Sequence, residues 1–222
     1  MLLTFSGLDG AGKSTQINLL VDWFEGRGNK VSCLWARGGY TPGFEILKHF
    51  LRLILGKNLP APGNSIHRKK KLARQWVAKL WLTIAILDLI FFWGLYLRLQ
   101  RLKGYVVICD RYLDDTKLDF KQNFPHVKFE NMFIWHLMKW LIPKPDMSFL
   151  LWVPVKKSVE RSSLKSEPFP DSPQVLEWRL SSYLDEIQFP PSQFKKMECK
   201  ENMEIVNKNI IREVECFLES TI

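Results

Sequence analysis

Apolar residues along this chain fall into short continuous runs and longer stretches with helical spacing, and the two kinds alternate. The opening MLLTFSG (residues 1–7) predicts a short buried strand ending in glycine. Lys13 to Gly28 has Ile17, Leu20, Trp23 and Phe24 on one helical face and glycines to stop it. Lys30–Trp35 predicts a second strand, Arg37–Gly43 a glycine-rich loop, Phe44–Leu55 a helix and Gly56–Ser65 a loop. A long helical region follows, about Ile66 to Leu102, with a break near Gly94. Tyr105–Cys109 (YVVIC) predicts a β-branched buried strand with Asp110 at its carboxyl end. After a polar segment come a helix over Phe129–Leu141, a strand over Ser148–Val153 and a helix over Lys156–Leu164. A Pro-rich break at Ser166–Pro173 precedes a helix over Val175–Ile187. A last strand at Met203–Val206 leads into a closing amphipathic helix. Strands alternating with helices predict parallel pairing through right-handed crossovers. The fold class expected is therefore an α/β three-layer sandwich, one domain over residues 1–222.

Composition changes this picture little. A hydrophobic fraction of 46% over 222 residues is enough for a core without disulfide support. The four cysteines (Cys33, Cys109, Cys199, Cys216) lie far apart and form no C-x-x-C pair, which points to a reduced, cytoplasmic setting. Placing the strand and loop directly after Met1 argues against a signal peptide, whose removal would take them away. The net charge of +9 predicts attraction to polyanions, and a nucleotide's phosphate chain satisfies that as well as nucleic acid does.

The chemistry is concentrated in Gly7-Leu8-Asp9-Gly10-Ala11-Gly12-Lys13-Ser14, which meets G-x-x-x-x-G-K-[ST] at every fixed position. Glycines let backbone N–H groups turn inward around an anion, and the following helix aims its positive end at it. Lys13 is expected to reach the β and γ oxygens of ATP, and the Ser14 hydroxyl to ligate Mg²⁺. Gly7, Asp9, Gly10, Ala11, Gly12 and Thr15 complete the expected ATP-binding set. Asp110 is expected to hold the Mg²⁺ water shell, and Arg111 to bridge phosphoryl groups.

GLDGAGKSTQ, the DRY triplet at Asp110–Tyr112 and the strand–helix order resemble the thymidylate kinase family along nearly the whole chain. The resemblance implies a five-stranded parallel sheet, transfer of the γ-phosphoryl of ATP to a nucleoside 5′-monophosphate, and a homodimer. On it, Asp9 meets the acceptor sugar and Arg37 grips the acceptor phosphate. PDMSFLLWVPVKKSVER resembles the strand and helix leading into a lid, about residues 161–174. Gly10 suits the subgroup that draws its catalytic arginine from the lid, which points to Arg161 first and Lys165 second. LEWRLSSYLDEI resembles the helix after the lid, and MEIVN the last strand. Arg111, Tyr112, Asp88 and Asp115 are the further acceptor-binding candidates. At Leu89 the family has an arginine, and at Asp115 a serine, so the phosphotransfer machinery matches better than the thymidine pocket. A different small acceptor, or a nucleotide-binding switch without kinase activity, is the alternative. A GTPase is excluded because Ile210 stands where the guanine motif after Asn207-Lys208 needs an Asp.

Leu80–Leu97 (LWLTIAILDLIFFWGLYL) approaches the length of a bilayer span and carries one charge, Asp88. A span there would separate the phosphate loop from Asp110, which must share one metal. The expectation is soluble-protein core with Asp88 near the acceptor and no transmembrane span, an apolar face for a partner or membrane surface being the remaining role. The HRKKK run (His67–Lys71) is expected to be a solvated face, with no nucleic-acid partner.

Overall fold

The computed structural model describes residues 1–36, 75–164, 171–185, 193–200 and 202–221. The segments expected at 37–43, 44–55, 56–65 and 66–74, with Arg37, HRKKK and Lys165, lie outside the described residues.

The apolar runs become β1 (Leu2–Gly7), β2 (Val31–Trp35), β3 (Val106–Asp110), β4 (Met147–Trp152) and β5 (Lys195–Glu198). They form a five-stranded, all-parallel sheet in the order β2-β3-β1-β4-β5. β1 is buried at every residue because it is paired on both edges, Phe5 opposite Asp110 on one side and Gly7 opposite Leu151 on the other. That register brings the carboxyl ends of β1 and β3 side by side, where chain connections diverge and ligands bind in open α/β sheets.

The chain divides into two compact units. One comprises Met1–Leu34, Lys103–Tyr112 and Pro145–Ile222, and holds the sheet's core. In it, helix α1 (Lys13–Glu25) buries Ile17, Leu20 and Phe24 in one cluster with Val206, Ile210 and Val214 of the closing helix. Each such side chain contributes about 1.5–3 kcal/mol by leaving water. α1 ends at Gly26, and Arg27 lies 3.8 Å over the Trp23 ring while pairing with Glu215 at 3.1 Å.

The other unit, Trp35–Leu102 with Leu113–Lys144, is helical in its described residues. It contains α2 (Gln75–Leu89), a π-helical stretch (Ile90–Tyr96), α3 (Leu97–Leu102), α4 (Leu113–Asn123), a 3₁₀ turn (Phe129–Asn131) and α5 (Phe133–Leu141). Phe120, Phe129 and Trp135 pack edge to face within it, with centroids 4.9 Å apart for Phe129–Trp135 and 5.5 Å for Phe120–Phe129.

Four expectations need correction. Met203–Val206 is not a strand but the first turn of α8 (Met203–Thr221). Val206, Ile210 and Val214 recur every four residues and are all buried, so the helical period prevails, and Asn202 Oδ1 accepts from Glu204 N at 3.2 Å. The fifth strand is the polar KKME, an edge strand that pairs Phe149 with Lys195 and Trp152 with Glu198. The helix expected over Phe129–Leu141 is split at Met132, whose backbone is extended. Residues 80–97 are not simply core: only 33% of the most apolar window of the continuous Gln75–Leu102 helix is buried. By length and composition, this helix is the one among the described residues that could cross a membrane. Near Gly94 the helix widens to π geometry and continues. The sequence reading also passed over α4, whose buried residues are Asp115, Thr116 and Asp119 with only Leu118 and Phe120 apolar, too few to mark a helical period.

Two further helices, α6 (Val155–Leu164) and α7 (Pro173–Leu184), follow β4 in the first unit. α7 opens on Pro173 after Ser172, whose Oγ accepts from Val175 N at 3.4 Å, an N-cap that starts the helix two residues before the periodic pattern does.

Candidate active site

The phosphate loop turns directly out of β1, and its tightness is set by backbone proximity. Gly7 has φ +137°, and a Cβ on it would lie 1.9 Å from the Leu151 carbonyl oxygen of the paired strand. At Gly10, φ +73°, a Cβ would lie 2.8 Å from Ser158 O and 3.2 Å from Ser162 Oγ. The loop is therefore seated on β4 on one side and α6 on the other. Gly12 caps α1 without a side chain, so the first N–H groups of that helix have no competing capping oxygen from their own cap residue.

Lys13 is buried, and its Nζ donates to Gly7 O at 3.0 Å and Leu8 O at 2.8 Å, with Asp9 Oδ1 at 4.0 Å. Desolvation makes a charge in this position effective on a neighbouring anion. Asp9 also forms a short ion pair with Arg111 Nη2. Arg111 is buried as well, and its backbone sits at φ +74° while its N–H bonds Phe5 O at 2.9 Å. A left-handed arginine costs roughly 1–3 kcal/mol and persists where the surroundings over-determine it. Here the Phe5 carbonyl and the Asp9 carboxylate do so, fixing the cation beside the loop.

Asp110 ends β3 opposite Phe5, with its Oδ1 buried, and Tyr112 is buried two residues on. Ser14 and Thr15, in the first turn of α1, are exposed. Among the described residues no three His, Cys, Asp or Glu side chains cluster as a protein metal cage. Mg²⁺ takes hard oxygen donors and binds through one or two protein groups plus substrate phosphates. A hydroxyl at Ser14 and a carboxylate at Asp110 are donors of that kind.

Arg161 lies in the last turn of α6, and its guanidinium donates to Gly10 O and to Cys199 O, both at 3.3 Å. It thus joins the phosphate loop to the end of β5. Ser158 and Ser162, which the sequence reading did not single out, flank it one turn apart. Ser158 is fully buried and its Oγ donates to Asp9 O at 2.5 Å. Their signal in the sequence is a pair of hydroxyls at i, i+4 bracketing an arginine on an otherwise charged helix. Gln16 is a second omission: its Nε2 donates to Met203 O at 2.9 Å and ties α1 to the start of α8. Asp88 (half-buried, on α2) and Asp115 (1% exposed, in the first turn of α4) belong to the helical unit.

The thiols near the loop are inert by environment. Burial raises the pKa of Cys109 far above the ordinary thiol range, and the Cys33 thiol and Asp110 add to the rise. Cys199 is pushed up to about 11, chiefly by burial, against the opposing pull of Arg161 and Lys13.

The ensemble is an anion cradle: a helix N-terminus, a buried ammonium, a clamped guanidinium and a carboxylate at adjoining strand ends. No protein-family model matches the chain. Among individual proteins, the thymidylate kinase of Bartonella henselae is 26% identical over 215 residues, covering 94% of this chain and 92% of its own length. A Thermococcus kodakarensis protein named "Probable thymidylate kinase" is 30% identical over 235 residues, covering 98% of each chain. With the sheet order and the phosphate loop, these likenesses carry the assignment: the chain belongs to the thymidylate kinase family, as a divergent member, and is a nucleoside monophosphate kinase.

Proposed function

We propose that this chain transfers the γ-phosphoryl of ATP to dTMP, giving dTDP. The observation that supports this most is the Asp9–Arg111 pair, which ties the phosphate loop to the DRY triplet. Phosphoryl transfer needs positioning and charge neutralisation more than a strong base. The loop amides and Lys13 bind the β and γ phosphates, drawing Lys13 from its contacts with Gly7 O and Leu8 O. Arg111 reaches the transferring group while Asp9 limits its movement. Arg161, with Lys165 beyond it, supplies further positive charge from the lid at about residues 161–174. Ser14 would hold Mg²⁺ and Asp110 would order its water shell, and the ion would supply charge neutralisation for the phosphates. Arg37, Tyr112, Asp88 and Asp115 serve the acceptor. The chain acts as a homodimer, as the resemblance implies, in the reduced cytoplasm to which its dispersed cysteines point.

A second reading is favoured by Asp115. A carboxylate where the family has serine is unfavourable beside an acceptor phosphate and suits a hydroxyl-rich acceptor instead. The test is a panel of nucleoside monophosphates with ATP and Mg²⁺, followed by ADP release. dTMP is expected to give the largest kcat/KM. Turnover with another acceptor and none with dTMP would replace the first reading by the second. ADP release unaffected by any acceptor would sink both.

A further inference from the structure

The helix running from Gln75 to Leu102 has two apolar faces, and among the described residues only one is packed inside the protein. Leu82, Ile86, Leu89, Trp93 and Leu97 are 0% exposed. On the opposite face Leu80, Leu87, Phe91, Leu95, Leu99 and Leu102 are 44–83% exposed, with Trp76 at the amino end 65% exposed. From Leu87 to Leu99 the exposed residues recur at every fourth position. In a pure α-helix that spacing drifts around the axis, because a turn takes 3.6 residues. The wider turn at Ile90–Tyr96 offsets the drift, so the stripe stays on one side while Trp93 and Leu97 stay on the other. At about 1.5 Å per residue, the helix is about 42 Å long. This is a far larger apolar surface than scattered exposed leucines would make.

Charge chooses among occupants. Lys79 is exposed at one end of the stripe, and Arg98 and Lys103 are exposed at the other. Between Lys79 and Arg98, about 28 Å apart along the axis, every exposed residue is apolar or Tyr96, and the single acid, Asp88, is half-buried. A second copy docked through this face would form an isologous contact. Parallel or antiparallel, it would bring cationic ends against cationic ends. Anionic headgroups pair with cations at both ends, and lysine and arginine stems reach up to them while the stripe sits among acyl chains. The chain's net charge of +9 acts in the same direction at long range.

We infer that this helix lies in the surface of an anionic lipid bilayer, its outer stripe in the acyl boundary and its inner face on the protein. It docks alongside the membrane, because its inner face is already packed against the chain's own residues. The inference is independent of which acceptor the kinase uses.

The test is flotation of the full chain with vesicles of phosphatidylcholine mixed with phosphatidylserine, against phosphatidylcholine alone. The chain is expected to float with the anionic vesicles, less so as salt rises. Leu87→Glu with Phe91→Glu should lower partitioning about tenfold or more, with thermal unfolding and kinase turnover unchanged. Independently of any variant, vesicles with brominated acyl chains should quench tryptophan fluorescence, since Trp76 lies at one end of the stripe. Absence of flotation at low salt would overturn the inference, as would flotation indifferent to the two glutamates, or binding without quenching. A dimer that the same substitutions dissociate would show instead that a second copy covers this face.

Discussion

The loop at the end of β1 and the helix Gln75–Leu102 make opposite demands on sequence. In the loop four residues have fixed neighbours: Gly7 against Leu151, Gly10 against α6, Lys13 against two carbonyls, Asp9 between Arg111 and Ser158. At Gly7 and Gly10 one methyl group is too many. Along the helix the demand is only that the residue be apolar: leucine, isoleucine, alanine and tryptophan fill the buried face, and leucine, phenylalanine and tryptophan the exposed one. Chemistry that positions a transferring group requires the first arrangement, whereas burial in a core or in lipid is satisfied by the second, since the hydrophobic effect has no direction.

The largest effects should expose this contrast inside the helix itself. Trp93→Ala removes a fully buried ring and should cost about 3–5 kcal/mol in urea unfolding. Phe91→Ser, two residues away on the exposed face, should cost under about 0.5 kcal/mol. Equal losses would mean that the outer face is packed. In the loop, Gly7→Ala should cost about 3 kcal/mol or more, because its Cβ meets a strand carbonyl that cannot move without breaking the β1–β4 pairing. A full-stability Gly7→Ala protein would show that the loop is less constrained than its geometry implies.

Lys13→Ala should lower turnover by about a hundredfold or more, equivalent to ~2.7 kcal/mol, with the fold retained. Near-normal ADP release in that variant would remove the loop from the mechanism. The smallest effect is in the thiols. Exposed Cys33 and Cys216 should label before buried Cys109 and Cys199 in the folded protein. With the Cys199 pKa raised to about 11, the unfolded thiol ionises first. That contribution to stability is complete below pH ~9 and falls as pH rises toward ~11, which alkaline unfolding of Cys199→Ala against the parent would measure. Labelling of Cys109 as fast as Cys33 would contradict its burial in β3.

β1, β3 and β4 could be read as apolar runs because parallel strands with both faces covered have continuous patterns, and the partly exposed β2 from the shorter run VSCLW. The fifth could not. KKME has no such pattern and is a strand only because the open edge of β4 is beside it, while MEIVN, apolar enough to suggest a strand, was claimed by the groove of α1. Helix α4 was hidden for a related reason, since Asp115, Thr116 and Asp119 share its interior with only two apolar residues, Leu118 and Phe120. In the candidate site, Gly7–Ser14 and Asp110–Tyr112 were legible because cradling phosphate restricts residue types to a short list. Ser158 and Gln16 were not, since a serine or glutamine on a helix has many ordinary uses.

What the sequence determined by itself was local: which segments are apolar, where the backbone must turn through glycine, and which charges follow a strand. Tertiary structure decided everything that depends on a neighbour distant along the chain. It set Arg111 in a left-handed backbone beside Asp9, aimed Arg161 at Gly10 and Cys199, and divided one uniformly apolar helix into a packed face and a bare one. Composition fixes how much surface prefers to leave water, but only the packed chain fixes which of it does, because the choice rests on contacts between residues from about forty to about one hundred and fifty positions apart.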